Sequence, residues 1–176
     1  MPLTLLVGGA RSGKSALAVR LAAASGAPVT FVATATAGDA EMAHRIARHR
    51  AERPAGWATI EEPVDLPGTL DRAPDDGCLV IDCLTLWVAN MLHRGDGEIV
   101  QAAGRAAGAA AHRPGLTIVV SNDVGSGIVP ADPATRRYRD LMGRVNATWA
   151  AAATDAYLVV AGRTLRLDRP EHSDGP

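Results

Sequence analysis

The sequence predicts an α/β fold with a mainly parallel sheet and helices on both of its faces. Three observations predict it. Short apolar runs typical of buried strands alternate with longer helical patterns through the chain. A glycine-rich stretch joins the first apolar run to the first helical pattern. Near the C-terminus, Gly162 separates two strand patterns that are close enough to form a hairpin, which predicts an antiparallel edge strand.

The first of these junctions carries a binding motif. It reads Gly8-Gly9-Ala10-Arg11-Ser12-Gly13-Lys14-Ser15, which matches the phosphate-binding P-loop pattern G-x-x-x-x-G-K-S. Glycines let successive backbone N–H groups surround phosphates, and the following helix N-terminus adds partial positive charge. Lys14 can contact the outer phosphates, and the Ser15 hydroxyl can ligate Mg²⁺. Lys14 is also the only lysine beside 17 arginines, so we predict a nucleotide-binding protein.

The elements before residue 92 follow from periodicity and from their end signals. Gly26-Ala27-Pro28 ends the first helix, and Pro54 ends the second. Pro67-Gly68 is expected to interrupt the short third helix. We predict strands at Leu3–Val7, Val29–Ala33, Trp57–Pro63 and Cys78–Asp82, and helices at Ala16–Leu21, Asp39–Arg53, Val64–Ala73 and Leu84–Met91.

The second half of the chain continues the alternation. A glycine-rich loop with one acid, residues 121–130, leaves the carboxyl end of a buried strand, which is the edge where ligands bind in open α/β sheets. The long helix after it carries several arginines, which indicate either a charged outer face or a contact with an anion or another subunit. We predict helices at Glu98–His112 and Pro133–Ala153, and strands at Leu116–Val120, Asp155–Val160 and Thr164–Leu167.

Composition and length bound the class of protein. We expect one domain over residues 1–169 and a disordered tail over 170–176. Hydrophobic content is 47% but aromatic content only 3%, so the core should be aliphatic and rich in alanine. The net charge of −1 argues against a general nucleic-acid or membrane binder. With no room for a signal peptide before the P-loop and two cysteines read as reduced, we expect a cytoplasmic protein.

The helix predicted at Asp39–Arg53 carries a candidate nucleophile. Arg45, His49 and Arg53 follow one another at steps of four, so they share one face. Nearby positive charge disfavours the imidazolium form and leaves the His49 imidazole neutral and nucleophilic. The alternative is a solvated basic face without chemistry. His44 is expected to point elsewhere, as a surface residue.

Asp82 is the candidate metal ligand beside Ser15. It ends an apolar strand, and in P-loop proteins such a carboxylate holds the Mg²⁺ of the nucleotide, often through water.

Six strings taken together resemble one family over nearly the whole chain. The family is the bifunctional adenosylcobinamide kinase / adenosylcobinamide-phosphate guanylyltransferase of cobalamin biosynthesis. The strings, in chain order, are G-G-A-R-S-G-K-S, D-A-E-M-A-H-R-I-A-R-H-R-A-E-R-P, W-A-T-I-E-E-P, I-D-C-L-T-L-W-V-A-N, S-N-D-V-G-S-G-I-V-P and Y-R-D-L-M-G-R-V-N.

The resemblance implies a RecA-like P-loop fold, a homotrimer and two reactions. The first phosphorylates the aminopropanol hydroxyl of adenosylcobinamide with ATP or GTP. The second transfers GMP from GTP to adenosylcobinamide phosphate through a guanylylated histidine, giving adenosylcobinamide-GDP and pyrophosphate. The family's R-I-x-x-H-R motif places that histidine at His49.

The resemblance also implies the rest of the site. Lys14 and His49 are then the catalytic residues, and Mg²⁺ is held by Ser15 and Asp82. Asp123 departs from the family pattern, which has Glu there, and so shortens that side chain by one methylene. The nucleotide-binding residues implied are Gly8, Gly9, Ala10, Arg11, Ser12, Gly13, Lys14, Ser15, Ala33, Thr34, Ala35, Arg50, Ala51, Glu52, Arg53, Glu61 and Asp82.

Two rival functions remain open at this point. One is a P-loop kinase of another small metabolite, in which His49 is structural. The other is a nucleotide-binding regulatory protein that catalyses no transfer. The sequence leaves open the general base of the kinase step, its preference for ATP or GTP, and the residues that contact the corrinoid.

Overall fold

The computed structural model describes residues 3–51 and 53–169. The predicted role of Glu52 and the predicted tail at 170–176 lie outside these residues. The described chain forms seven strands, β1 Leu3–Gly8, β2 Val29–Ala33, β3 Ala58–Glu61, β4 Cys78–Asp82, β5 Thr117–Asn122, β6 Asp155–Val160 and β7 Arg163–Arg166. It forms six helices, α1 Lys14–Ala24, α2 Ala40–Ala51, α3 Leu66–Arg72, α4 Leu84–Asn90, α5 Asp96–His112 and α6 Pro133–Ala152.

All seven strands belong to one sheet in the order β3-β2-β4-β5-β1-β6-β7. Every neighbouring pair is parallel except β6 and β7, which are antiparallel. This confirms the predicted parallel sheet with one antiparallel edge strand. Because the carboxyl ends of parallel strands meet at one edge, the segments that follow β1, β2, β4 and β5 lie side by side.

Helices cover both faces of the sheet, as predicted. One face packs against α1 through Ala18 and Ala22. The other face packs against α3, α4, α5 and α6, with Trp87 and Trp149 fully buried between them. The long α5 contributes mainly alanines, namely Ala102, Ala103, Ala106, Ala107 and Ala110. Short side chains let helix and sheet approach closely, so the core is aliphatic and alanine-rich as the composition predicts.

Predicted element boundaries differ from the observed ones by up to three residues, and two of the differences concern the interior of α3 and the two ends of β5. Helix α3 contains Pro67 and Gly68 and is not interrupted by them. Pro67 lies in the first turn, where a missing N–H costs no intrahelical hydrogen bond, and the Asp65 side chain accepts from the Gly68 N–H at 3.0 Å. Strand β5 begins one residue later than predicted and continues to Asn122, which pairs with Gly8 of β1.

Thr117 offers a test of the packing of the sheet. Its side chain is fully buried at the start of β5, and no partner for its hydroxyl exists in the part of the chain that the structure describes. Thr117→Val keeps the shape and removes an unpaired buried polar group. We expect the free energy of unfolding to rise by about 1 kcal/mol and the melting temperature to rise by roughly 2–4 °C, measured by thermal unfolding.

The matched control is the same change at Thr34, whose buried hydroxyl makes two hydrogen bonds. Thr34→Val should lower the melting temperature. A Thr117→Val protein less stable than the wild type would contradict the assignment of an unpaired hydroxyl.

Candidate active site

The turn between β1 and α1 has the backbone geometry that a P-loop requires. A Cβ added at Gly8 would collide with the carbonyl oxygen of Val159. Gly13 caps α1 with φ +100°, a left-handed conformation that favours glycine. Arg11, at the tip of the turn, has φ 57°, a conformation uncommon outside glycine and found at sites where backbone strain serves function.

The C-terminal hairpin supports this loop. The Gly162 N–H donates to the carbonyl oxygen of Ser12 at 2.9 Å, and the Ser12 N–H donates to the carbonyl oxygen of Gly9 at 3.3 Å. Gly162 itself has φ +75°, so the turn between β6 and β7 depends on glycine to present this donor. The hairpin that the sequence predicts as an edge therefore also holds the P-loop in place.

Lys14 lies inside the loop. Its side chain is 6% exposed, and Nζ donates to the Gly9 carbonyl oxygen at 2.6 Å. A second, longer contact of 3.4 Å joins Nζ to Ser12 Oγ. Burial lowers the pKa of Lys14, while the nearby Cys83 and Asp82 act to raise it. The ammonium is thus held among backbone groups of the turn, at the place where the motif requires a positive charge.

A cleft of about 480 Å³ opens beside the P-loop. Its walls are the P-loop, the carboxyl ends of β2, β4 and β5, the start of α4 and one side of α2. The predicted site residues on it are Ala10, Arg11, Ser12, Gly13, Lys14, Ser15, Ala33, Ala35, His49, Arg53 and Asp82. Those that do not line it are Gly8, Gly9, Thr34, Arg50, Ala51 and Glu61. The structure therefore brings the P-loop, the strand-terminal acid and the histidine to one cavity.

Asp82 and Ser15 are suitable ligands for a magnesium ion whose remaining coordination positions are filled by a bound nucleotide and water. Asp82 ends β4 and lies close enough to oppose the lowering of the pKa of Lys14 and of Arg53 that burial causes. Within residues 3–51 and 53–169, its carboxylate accepts no hydrogen bond and so is available as a ligand. The same residues contain no group of three or more His, Cys, Asp or Glu that could hold a metal alone. One carboxylate and one hydroxyl leave coordination positions for phosphate and water, the arrangement that Mg²⁺ adopts at nucleotide sites.

Helix α2 lines the cleft with both charged and apolar residues. None of its residues is buried, and seven of them line the cavity, namely Glu41, Met42, His44, Arg45, Ile46, Arg48 and His49. His49 is half-buried there, and Arg45, Arg48 and Arg53 line the same cavity. His44 is an exposed residue, as predicted, but it lines the same cavity as His49, so the prediction that it points elsewhere is wrong. A helix that buries no face can present both histidines to one broad cavity.

The end of α2 is joined to the sheet by two arginines. The Arg53 guanidinium lies 3.7 Å from the centroid of the Phe31 ring, a cation–π contact. Burial lowers the pKa of Arg53, and Asp82 and Glu61 oppose that shift. Arg50 forms an exposed ion pair with Glu61 at the end of β3. These contacts fix the chain that follows His49, although the exposed pair contributes little stability.

Cys83 follows Asp82 and also lines the cleft, so it is a second possible nucleophile beside His49. Burial, with a smaller contribution from Asp82, raises the pKa of the Cys83 thiol to about 11. The thiolate is the reactive form of cysteine, and it is scarce at neutral pH under these conditions. His49 is therefore the stronger candidate for covalent chemistry in this cavity.

The acid of the loop after β5, Asp123, accepts hydrogen bonds from residues of the same loop. Asp123 Oδ1 accepts from the Gly125 N–H at 3.0 Å, and the Ser126 hydroxyl donates to Oδ2. These hydrogen bonds lower the pKa of Asp123, and the bond from the Ser126 hydroxyl contributes most. The Asp123 N–H donates to the Gly8 carbonyl oxygen at 3.1 Å, so the loop begins against the P-loop. The shorter acid at this position stabilises the turn of its own loop.

Two polar residues that no prediction singled out, Thr85 and Asn146, hydrogen-bond to the end of β5 beside the cleft. The Thr85 hydroxyl accepts from the Asn122 N–H at 2.9 Å. The Asn146 side chain donates to the Asn122 carbonyl oxygen at 3.0 Å and accepts from the Ser121 hydroxyl at 2.6 Å. The available signal for Asn146 was its place at the end of the string Y-R-D-L-M-G-R-V-N.

Fold and site together define a P-loop nucleotide-binding α/β protein. Solved structures agree at the level of the fold. A RadB recombinase has a TM-score of 0.50 at 18% identity, covering 89% of this chain and 73% of its own. A Pyrococcus horikoshii OT3 protein has a TM-score of 0.56 at 10% identity, covering 97% and 88%. The fold is thus the RecA-like one that the resemblance implies.

The chain belongs to the CobU family, described as cobinamide kinase / cobinamide phosphate guanyltransferase, whose model matches residues 4–167. It is 46% identical over 172 residues to the bifunctional adenosylcobalamin biosynthesis protein CobP of Pseudomonas aeruginosa, covering 93% of this chain and 95% of the relative. It is 41% identical to the CobU protein of Salmonella typhimurium and 38% identical to that of Escherichia coli, each covering 94% of this chain and 99% of the relative.

These comparisons confirm the family that the six sequence strings suggest, and with it an enzyme class, a kinase and guanylyltransferase, that uses nucleoside triphosphates. No helix among the described residues is both long enough and apolar enough to cross a membrane.

Proposed function

We propose that this protein phosphorylates adenosylcobinamide with ATP or GTP and then transfers GMP from GTP to adenosylcobinamide phosphate. The products of the second step are adenosylcobinamide-GDP and pyrophosphate. The observation that carries the proposal is a single cleft whose walls contain Lys14, Asp82 and His49. A P-loop serves phosphoryl transfer, and a histidine in the same cleft adds a nucleophile that a simple kinase does not need.

The kinase step depends on positioning and charge. The P-loop backbone would hold the phosphates, and Lys14 would neutralise charge on the transferring phosphoryl group. Ser15 and Asp82 would hold Mg²⁺, which supplies further neutralisation of the phosphate oxygens when it is bound. The acceptor hydroxyl must lie in line with the bond to be broken, at the open side of the cleft.

The guanylyl transfer step uses His49. A ring nitrogen of the neutral imidazole attacks the α-phosphorus of GTP, forming a P–N bond while the bond to the bridging β-phosphate oxygen breaks and pyrophosphate leaves. A phosphate oxygen of adenosylcobinamide phosphate then attacks the same phosphorus and breaks the P–N bond. Arg45 and Arg53 line the same cavity, where they can stabilise the negative charge of the phosphates.

The other predicted nucleotide contacts remain part of this proposal. They are residues Gly8–Ser15, Ala33, Ala35, Arg50, Ala51, Glu52, Arg53 and Glu61, with Thr34 considered separately below. We further propose that residues 1–169 act as a single domain and that the protein works in the cytoplasm.

We also propose a homotrimer, and this is directly testable. Several large apolar side chains are exposed among the described residues, including Ile128 at 96% and Leu165 at 62%. Burial of such side chains between subunits would stabilise an assembly. We expect size-exclusion chromatography with light scattering at micromolar concentration to give about three times the chain mass of 18.2 kDa. A monomer under these conditions would contradict the trimer and leave the proposed chemistry of the cleft standing.

Product analysis tests the function as a whole. We expect incubation with adenosylcobinamide, Mg²⁺ and ATP to give adenosylcobinamide phosphate alone. Addition of GTP should then convert that product to adenosylcobinamide-GDP with release of pyrophosphate, and EDTA should stop the first conversion. Failure to convert adenosylcobinamide with either nucleotide would reject the proposal.

A further inference from the structure

Thr34, the first residue after β2, lies between the cleft-lining residues Ala33 and Ala35 and makes three hydrogen bonds to the segment Asp82–Cys83. Its side chain is fully buried. Its hydroxyl accepts from the Cys83 N–H at 2.8 Å and donates to the Cys83 carbonyl oxygen at 2.7 Å. Its own N–H donates to the Asp82 carbonyl oxygen at 3.2 Å. One buried residue therefore fixes the backbone on which the strand-terminal acid is carried.

Asn90, the last residue of α4, in turn fixes Thr34. Its Nδ2 donates to the Thr34 carbonyl oxygen at 2.8 Å and to the Pro63 carbonyl oxygen at 3.1 Å. The Asn90 side chain thus joins the end of β2 to the connection after β3. With these bonds made, the N–H, carbonyl and hydroxyl of Thr34 are all engaged within the protein, which favours a supporting role over direct contact with a nucleotide.

In the part of the chain that the structure describes, the Asp82 carboxylate is not held by hydrogen bonds in the way that its backbone is. Among the described residues nothing donates a hydrogen bond to it, although it borders the cleft beside Lys14. Its position must therefore be set through its backbone, and Thr34 supplies the side-chain hydrogen bonds nearest to that backbone. Groups that orient a ligating residue in this way change metal affinity by about 10- to 100-fold when they are removed.

We infer that Thr34, held by Asn90, is a positioning residue that places the Asp82 carboxylate for a divalent cation bound with the nucleotide. The inference rests on the proposed role of Asp82 as a metal ligand. It assigns Thr34 a part in metal affinity rather than in nucleotide affinity, and these two quantities can be measured separately.

The test uses Mn²⁺ and the β,γ-imido analogue of ATP, which is not hydrolysed. Free Mn²⁺ is followed by electron paramagnetic resonance as it is titrated into protein saturated with the analogue. For Thr34→Val we expect Mn²⁺ affinity to fall by about 10-fold or more, while affinity for the analogue in EDTA changes by less than about twofold because the P-loop is unaltered. Thr34→Ser keeps the hydroxyl and should restore most of the Mn²⁺ affinity.

Two further variants are needed to interpret the result, a matched control and a variant without the metal ligand. Thr30→Val makes the same change four residues earlier on β2, at a half-buried side chain with no hydrogen bond among the described residues, and should bind Mn²⁺ as the wild type does. Asp82→Ala removes the ligand itself. Asp82→Ala with unchanged Mn²⁺ affinity would reject the proposed metal site, whereas weakened binding in Asp82→Ala with wild-type binding in Thr34→Val would reject the role of Thr34 alone.

Folding of each variant is checked by circular dichroism before titration. If Thr34→Val does not fold, Asn90→Ala carries the test, because it removes the support of Thr34 and leaves the Thr34 hydroxyl in place. A several-fold loss of Mn²⁺ affinity in Asn90→Ala supports the inference. Unchanged affinity in Asn90→Ala, or an equal loss in Thr30→Val, overturns it.

Discussion

Replacement of Lys14 by methionine is expected to slow both adenosylcobinamide phosphorylation and guanylyl transfer by about 100-fold or more. Methionine keeps most of the length of the side chain and removes the charge. Both reactions place negative charge on phosphate groups held by the P-loop, and the buried Lys14 ammonium is the cation that the loop encloses. The measurement is kcat/KM for each reaction, with product formation followed separately.

Arg20→Met is the matched control for this change. Arg20 is an exposed cation of the same helix and does not line the cleft, so both activities should stay close to those of the wild type. Because Lys14 is the only lysine of the sequence, amine-directed labelling provides a second measurement with one side-chain product. Labelling that neither ATP nor GTP reduces would contradict the position given to Lys14.

Replacement of His49 by alanine is expected to abolish the formation of adenosylcobinamide-GDP and to preserve the kinase step. The variant lacks the nucleophile for the α-phosphorus of GTP but keeps Lys14, Ser15 and Asp82. Adenosylcobinamide phosphate should therefore accumulate in the presence of both nucleotides. The measurement is chromatographic separation of the two corrinoid products.

His44→Ala is the control that the structure provides. His44 lies on the same helix and lines the same cavity, so a general effect of losing an imidazole from this wall would appear in both variants. We expect His44→Ala to form adenosylcobinamide-GDP. Equal loss of the second step in both variants would contradict the assignment of the nucleophile to His49 alone.

Local signals in the sequence were sufficient to predict most of the fold. The P-loop, with an apolar run before it and a good helix former after it, fixed the first strand, turn and helix. Gly162 between two strand patterns predicted the antiparallel edge. Pro67-Gly68 misled the prediction of α3, since the effect of proline depends on its position in the first turn and not on its presence alone.

Some residues of the candidate site could be predicted from local sequence patterns and others could not, for physical reasons. A strand-terminal acid such as Asp82 is visible in the sequence, because strands of a parallel sheet deliver their carboxyl ends to one edge. The role of His49 could be predicted only from the family resemblance, since periodicity alone favours a solvated basic face. The hydrogen bonds between Thr34 and Cys83 join residues that are 49 positions apart, which no local pattern predicts. The placement of His44 on the cleft likewise depends on tertiary packing.

The central claim is that His49 carries GMP covalently, and labelling with GTP tests it most directly. Wild-type protein incubated with α-labelled GTP should keep the label after denaturation. The label should survive base and be released by acid, as a phosphoramidate would. Neither γ-labelled GTP with the wild type nor α-labelled GTP with His49→Ala should give a stable label. Full labelling of His49→Ala, or no labelling of the wild type by α-labelled GTP, would contradict the claim.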